Sequence, residues 1–330
     1  MKIAVVILNW NGKQLLEQFL PKVVSFSKDA TVYVADNASA DNSIAYVKAN
    51  FPTVQIIQNV ENGGYAKGYN DALPQVKEEI FCLLNSDIEV TENWLTPILS
   101  TFESSLETAI IQPKILDFKQ KTHFEYAGAA GGFIDKFGYP FCRGRIFHTL
   151  EKDNGQYNDS KAIFWASGAC LFIRKNVFQE LQGFDEDFFA HQEEIDLCWR
   201  AFNKGYLAKY VSESVVYHVG GATLDSTNAK KTYLNFRNSL CMLAKNLPKG
   251  KLFPIIFSRL VLDGLAGVQF LLKFKFKHLF AILKAHFHFY ARLPKMLSKR
   301  AENQEKQYFQ QKSIVLAYFL KGKKKYSDFN

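Results

Sequence analysis

Methionine, tryptophan and cysteine are scarce in this 330-residue chain, at 3, 4 and 5 residues. Cys82, Cys142, Cys170, Cys198 and Cys241 are scattered among apolar neighbours with no C-x-x-C spacing. That excludes the usual metal and redox motifs and predicts buried, reduced thiols. Long uninterrupted apolar runs are absent as well. Residues 1–8 offer six apolar residues after Lys2 before Asn9 breaks the run, too few for a secretory leader. The body is therefore expected to face the cytoplasm. The most apolar stretch, 252–272, is interrupted by Arg259, Asp263 and Gln269, so no clean membrane-spanning helix is expected. A dinucleotide fingerprint is missing too. Residues 62–70 carry glycines at 63, 64 and 68, but in the third loop, whereas the fingerprint joins the first strand to the first helix.

Apolar residues make up 48% of the chain, enough for a large core. Its length suits one α/β domain of about 200 to 250 residues with an appendage. Charge divides the same way. Residues 231–330 hold 20 Lys/Arg and 4 Asp/Glu, a net +16, which against the overall +9 leaves −7 on residues 1–230. The expectation is a mildly acidic body, 1–230, followed by a basic helical region, 231–330.

β-Branched runs at 3–8 and 31–35 flank Leu15, Leu16, Phe19, Leu20 and Val23 at helical spacing, a β-α-β opening. Pro21 predicts a kink or early stop in that helix. Further helices are expected at 43–49 and 66–76, and strands at 54–57 and 80–84. Such alternation implies a mainly parallel central sheet with helices on both faces. Ligands then sit outside the carboxyl ends of the strands, where three polar loops fall: Asn9-Trp-Asn-Gly12, residues 36–43 and Asn85-Ser-Asp87. Residues 122–147, rich in glycine and aromatics, predict irregular or hairpin structure. Residues 162–174 read as a strand broken at Ser167-Gly168. A helix over 192–204 stops near Gly205, and a last strand covers 210–218.

Among candidate site residues, Asp36 ends a strand and is placed to accept hydrogen bonds from a base or ribose, or equally to form an Asx-turn. Asp87 ends the run Ile80-Phe-Cys-Leu-Leu-Asn-Ser-Asp87. A hard cation bridging phosphates needs only one or two protein carboxylates, so one Asp there suffices; a capped turn is the plainer alternative. Residues 183–200 hold six carboxylates interleaved with Phe184, Phe188, Phe189, Ile195 and Trp199, unlike a simple solvated face. A helical wheel puts the apolar face near Ile195, Glu193 opposite it, and Glu194 at the edge of the stripe. Glu194 is thus better placed to enter a cleft. Asp196 can pair with Arg200, a structural role. His218 closes a strand and gains weight from its company.

Together these segments resemble glycosyltransferase family 2, particularly its bacterial rhamnosyltransferase-like branch. The resemblance rests on Asn9-Trp-Asn-Gly12, Asp36-Asn37-Ala-Ser39, Asn62-Gly-Gly-Tyr-Ala-Lys-Gly-Tyr-Asn70, Leu84-Asn-Ser-Asp87, Trp165-Ala-Ser-Gly168, and Phe184-Asp-Glu-x-Phe-Phe with Glu193-Glu-Ile-Asp-Leu-Cys-Trp-Arg200, in order over residues 1–225. It implies a GT-A fold, a nucleotide-diphosphate sugar donor, a divalent metal (Mg²⁺ or Mn²⁺) and inversion at the anomeric carbon. Carried over, Asp87 and His218 hold the metal, Asp36 contacts the base, and Asn9, Asn37, Lys67 and Ser86 serve the donor side. Glu194 becomes the catalytic base, while Glu193, Trp165, Ser167 and Gly168 line the acceptor side. Trp165 is open between stacking on a sugar and packing in the core. Asn85 stands where the family's metal motif begins with Asp, and Glu194 where Asp is usual.

In the basic region, Lys273, Lys275, Lys277 and Lys284 alternate with Phe274, Phe276, Leu279, Phe280 and Leu283. That suits an interfacial helix, with residues 321–325 adding attraction to anionic lipid. The large apolar residues favour a membrane surface over nucleic acid as partner. The expected function is sugar transfer, with dTDP-rhamnose the donor the branch suggests, to a lipid-linked saccharide in surface polysaccharide synthesis. A non-catalytic nucleotide-sugar or glycan-binding protein on the same scaffold is the rival.

Overall fold

The computed structural model describes residues 1–220 and 228–329. The opening alternates strand and helix: β1 Ile3–Asn9, α1 Lys13–Phe26, β2 Thr31–Asp36, α2 Ser43–Asn50, β3 Gln55–Gln58, α3 Gly64–Ala72 and β4 Ile80–Asn85. Then come β5 Ile88–Val90, α4 Thr96–Ser104, β6 Thr108–Asp117, and the short strands β7 Gly132–Ile134, β8 Pro140–Cys142, β9 Arg145–Ile146 and β10 Thr149–Leu150. The body closes with β11 Ser160–Ile163, β12 Cys170–Arg174, α5 Lys175–Glu180, α6 Glu193–Asn203 and β13 Leu207–His218. Helices α7 Ala229–Asn246, α8 Lys249–Leu272, α9 Phe276–Ser298 and α10 Ile314–Phe319 follow.

The main sheet runs β11-β13-β6-β12-β4-β1-β2-β3, with β5 paired to β13. The half β4-β1-β2-β3 is parallel, and β6 and β13 are parallel to each other. Strand β12 enters antiparallel between β4 and β6. β1 shows why the run 3–8 is continuously apolar. Ala4 and Val6 face a core shared with α3, α6 and α7, while Ile3, Val5 and Ile7 face one shared with α1 and α4. The sheet is buried on both faces. All five cysteines are free and buried. The strands β7–β10 form a separate small antiparallel sheet, the hairpin structure expected for the glycine- and aromatic-rich stretch.

Two helix boundaries differ from the sequence reading. Helix α1 continues through the exposed Pro21 to Phe26. Helix α3 ends at Ala72, four residues early, where Pro74 forces a 3-10 turn over Leu73–Gln75. Helix α8 is 24 residues long with mean hydropathy 1.7 over its most apolar window, which by length and composition suffices to cross a membrane. Its inner face nevertheless carries Arg259 and Asp263, both buried. Arg259 donates to the Phe137 carbonyl at 3.0 Å, and Asp263 meets His286 of α9 at 3.2 Å.

Candidate active site

Register gathers the polar loops. In-phase parallel pairing sets Asn9 of β1 beside Asp36 of β2, and Leu8 beside Asn85 of β4. The three carboxyl ends therefore open at one edge. After β4 the chain turns through Ser86 and Asp87 into β5, which pairs antiparallel with β13 so that Ile88 faces His218. The Val219 N–H donates to the Asp87 carbonyl at 3.2 Å. This double anchoring puts Asp87 Oδ1 3.2 Å from His218 Nε2, both side chains being 7% exposed. On the other side, His218 Nδ1 lies 3.2 Å from Glu125 Oε1, and Glu125 Oε2 accepts from the Ala127 N–H at 2.5 Å. Burial pushes the imidazole pKa down, but the Glu125 charge and contacts with both carboxylates outweigh it, raising it to about 10.

A carboxylate oxygen and an imidazole nitrogen 3.2 Å apart are spaced as neighbouring ligands of one octahedral cation would be, at about 2.1 Å from the metal. The mixed O/N set suits Mn²⁺ or Mg²⁺ bound mainly through donor phosphates. Glu125 behind His218 supplies the carboxylate that orients a ligating histidine. The residues fit the metal that the resemblance implies, although no group of three or more His, Cys, Asp or Glu forms a cage among the described residues.

Beside this pair, Asn9 is fully buried and its amide donates to Asp36 Oδ1 at 3.0 Å and to the hydroxyls of Ser39 and Ser43 at 3.2 and 2.9 Å. Asp36 Oδ2 accepts from the Ser39 N–H at 3.0 Å, the Asx-type turn foreseen as its plainer role. Asn37 donates to Asn62 Oδ1 at 2.9 Å and to the Gly64 carbonyl at 3.1 Å, so it ties the second loop to α3. Ser86 is half-buried near Gly12.

The acidic pair stands on a strained approach. Phe189, His191 and Gln192 have φ of 66, 70 and 75°, a left-handed region that costs non-glycine residues about 1–3 kcal/mol each. Neighbouring elements hold the loop in place. The Tyr65 N–H donates to the Phe189 carbonyl at 3.0 Å. A Cβ on Gly64 would lie 2.5 Å from that carbonyl oxygen, so only glycine permits the approach. From α7, Arg237 donates to the Asp187 and Phe188 carbonyls at 3.0 and 2.9 Å. Asn238 donates to the carbonyls of Phe188, Ala190 and His191 at 2.9, 2.9 and 2.7 Å.

Four consecutive residues at the end of this loop, His191, Gln192, Glu193 and Glu194, each keep a buried polar side-chain atom without a hydrogen-bond partner. Burial raises the Glu194 carboxyl pKa to about 7 against backbone donors that lower it. Burial and the Glu194 charge push Glu193 well above the carboxylate range. Burial, aided by Lys231, lowers His191 to about 4, so its ring is neutral. Glu194 is partly exposed, as expected of a residue at a cleft edge, whereas Glu193 is 5% exposed and does not face away from the core. A helical wheel allows for one buried side. Here α7 also covers α6, and Lys245 and Asn246 each donate to Asp196, one turn beyond Glu193, at 2.8 Å. Asp196 also pairs with Arg200 at 2.8 Å.

The remaining predicted residues scatter more widely. Lys67 pairs with Asp71 at 2.8 Å and lines a shallow concavity with Gln58, Asn59 and Glu61. Trp165 is 2% exposed, packs flat on Gly132, where a Cβ would come within 2.1 Å of the ring, and donates to the Phe133 carbonyl at 2.8 Å. Of its two readings the structure adopts the core, and the buried ring has no face free for a sugar. The Ser167 N–H donates to Gln112 Oε1 at 2.8 Å, and Gly168 accepts from the Tyr65 hydroxyl at 2.7 Å. Both secure the strand break beside α3. Glu125, His191, Gln192 and Tyr65 escaped the sequence reading as single residues. Glu125 lies in an irregular stretch with no period to expose it.

The sequence profile of Glycosyl transferase family 2 matches residues 4–182. The chain is 24% identical over 235 residues to N-acetylglucosaminyl-diphospho-decaprenol L-rhamnosyltransferase of Mycobacterium tuberculosis, covering 66% of this chain and 75% of that one. Among solved structures it is similar to S. aureus TarS 1–349 in complex with UDP-GlcNAc, with TM-score 0.59, 16% identity and coverage of 91% and 84%. It is similar also to GalNAc-T7 with UDP, GalNAc and Mn²⁺, with TM-score 0.59, 15% identity and coverage of 76% of this chain and 48% of that one, about half its length. The profile match spans more than half of the molecule and the fold agrees with it, so the chain belongs to glycosyltransferase family 2, on a GT-A scaffold with bacterial rhamnosyltransferase-like relatives.

Proposed function

We propose that this glycosyltransferase is metal-dependent and inverting, and that it moves a sugar from a nucleotide-diphosphate donor to a lipid-linked saccharide in surface polysaccharide synthesis. The observation that carries the reading is the run His191–Glu194. Four buried polar groups without protein partners, on a loop held in a strained conformation, are costly to a protein that does not use them. In the proposed step the Glu194 carboxylate takes the proton of an acceptor hydroxyl. The freed oxygen forms a bond to the anomeric carbon as the bond from that carbon to the diphosphate breaks on the opposite face. A metal at Asp87 and His218 would offset charge on the departing diphosphate. Glu125 keeps His218 turned toward Asp87, and Asn9 and Asp36 shape the nucleotide side.

The mycobacterial relative's name supports a rhamnosyl donor and a diphospholipid-linked acceptor, so dTDP-rhamnose and UDP-sugars are the donors to test first. Attachment to the inner face of the cell membrane is supported by two apolar stripes on the outer faces of α8 and α9. One runs through Phe253, Phe257, Val261, Leu265 and Val268, the other through Phe276, Phe280, Leu283, Phe287 and Tyr290. Exposed Lys273, Lys275 and Lys277 lie where the two helices meet.

Purified protein given donor, Mn²⁺ and a polyprenyl-diphospho-N-acetylglucosamine acceptor should release nucleoside diphosphate, and a chelator should stop the release. Donor binding without release across a broad acceptor panel would instead support the non-catalytic rival.

A further inference from the structure

We propose that Arg145 binds a phosphate oxygen of a diphosphate in the active site. The inference rests on the transferase reading above and adds to it a cation that no motif assigns. Four arginines are buried among the described residues: Arg143, Arg145, Arg237 and Arg259. Three of them donate to oxygen. Arg143 reaches the Ala130 carbonyl at 3.2 Å and pairs with Asp159 through both terminal nitrogens. Arg237 holds the Asp187 and Phe188 carbonyls, and Arg259 the Phe137 carbonyl. Arg145, 7% exposed, donates only from Nη2 to the Cys142 sulfur at 3.3 Å, and its Nε meets no acceptor.

A guanidinium cannot shed its charge and carries five N–H donors in a fixed fork. Sulfur is a weak acceptor, and the Tyr126 ring, 4.7 Å from the guanidinium carbon, offers only its face. Glu125 lies within electrostatic reach, but its oxygens already meet His218 and the Ala127 N–H. Burying such a fork is expensive unless an oxyanion completes it. Its position fits a diphosphate beside the metal site, because Tyr126, whose ring the guanidinium faces, directly follows Glu125, and Glu125 Oε1 lies 3.2 Å from His218 Nδ1.

Two molecules could bring this chemistry, the nucleotide donor and the diphospholipid acceptor. Calorimetric titration of the full chain with UDP and dTDP in Mn²⁺, and separately with farnesyl diphosphate, tells them apart. Arg145→Gln should weaken binding of at least one probe by about tenfold or more, the worth of hydrogen bonds to a charged group. Arg145→Lys should weaken it less. A loss confined to the nucleotides assigns the donor diphosphate, one confined to farnesyl diphosphate assigns the acceptor's, and both support the proposal. If Arg145→Gln does not fold, Arg145→Lys decides: affinity below wild type supports the fork, and unchanged affinity for every probe overturns it. Wild-type affinity in both variants overturns it too while leaving the transferase reading intact. Failure of the wild type to bind any probe removes both.

Discussion

At the residue scale, Glu194 has a pKa near 7 because burial disfavours its charge, and a base must be unprotonated to act. Turnover per bound substrate should therefore rise with pH through about 7 and level off above it, as a pH–rate profile at saturating donor would record. The sign for stability is opposite. The native carboxyl keeps its proton to higher pH than the unfolded chain's, whose value is near the ordinary 4.5, so its contribution is full below that value and is lost as pH rises through 7. The places of Asp87, His218 and Glu194 were readable in the sequence because each lies at or beside the end of a regular element, Asp87 in the turn after β4, His218 closing β13 and Glu194 in the first turn of α6. Glu125 and Arg145 lie among turns and two-residue strands, where no period points anywhere. Trp165 was undecidable because the flat partner that encloses it, Gly132, is 33 positions away in the chain and visible only in three dimensions.

At the element scale, helix α7 works as a clamp on the loop that delivers the acidic pair. Asn238→Ala would leave the Ala190 and His191 carbonyls without their side-chain donor, Phe188 keeping Arg237, at about 2–4 kcal/mol of stability. Steady-state kinetics should show a lower kcat with the donor KM little changed, since the donor-side loops of β1 and β2 make no use of this clamp. The β-α alternation through β4 was readable from apolar runs and helical spacing. Between residues 88 and 117 no element was read, yet β5, α4 and β6 lie there. Strand β6 hides itself because Gln112, Pro113 and Lys114 interrupt its apolar run. The fold accommodates each of them. Gln112 donates to the Gly128 carbonyl at 3.0 Å, Lys114 pairs with Asp153 at 2.8 Å, and Pro113 lies beyond the β12 pairing, where a missing N–H matters less.

At the scale of the whole molecule, the basic region reads in sequence as an appendage but is woven into the body. Lys245 pairs with Asp185 and Asp196 at 2.8 Å, Tyr308 stacks on Trp199 with ring centroids 5.0 Å apart, and the Ile314 N–H donates to buried Asp135 at 3.0 Å. Composition cannot reveal this, because lysines that reach inward and lysines that meet solvent look alike in a sequence. Truncation after residue 230 should therefore give a chain without a cooperative urea transition, since it leaves buried Asp185 without Lys245 and Lys299 and strips Asp196 of Lys245 and Asn246, leaving it Arg200 alone, at about 3–5 kcal/mol for a broken buried pair. For the outward lysines the proposed task is contact with anionic lipid. Full-length protein should float with vesicles rich in anionic lipid and less so at high salt, and Lys→Glu changes at 273, 275 and 277 should abolish flotation without changing the unfolding midpoint. The central claim, that Glu194 is the base of a metal-assisted transfer, is tested most directly by comparing Glu194→Gln with the wild type in single-turnover assays under saturating donor, acceptor and Mn²⁺. The account predicts unchanged donor affinity with transfer slowed about 10²–10⁴-fold; transfer at the wild-type rate would contradict it.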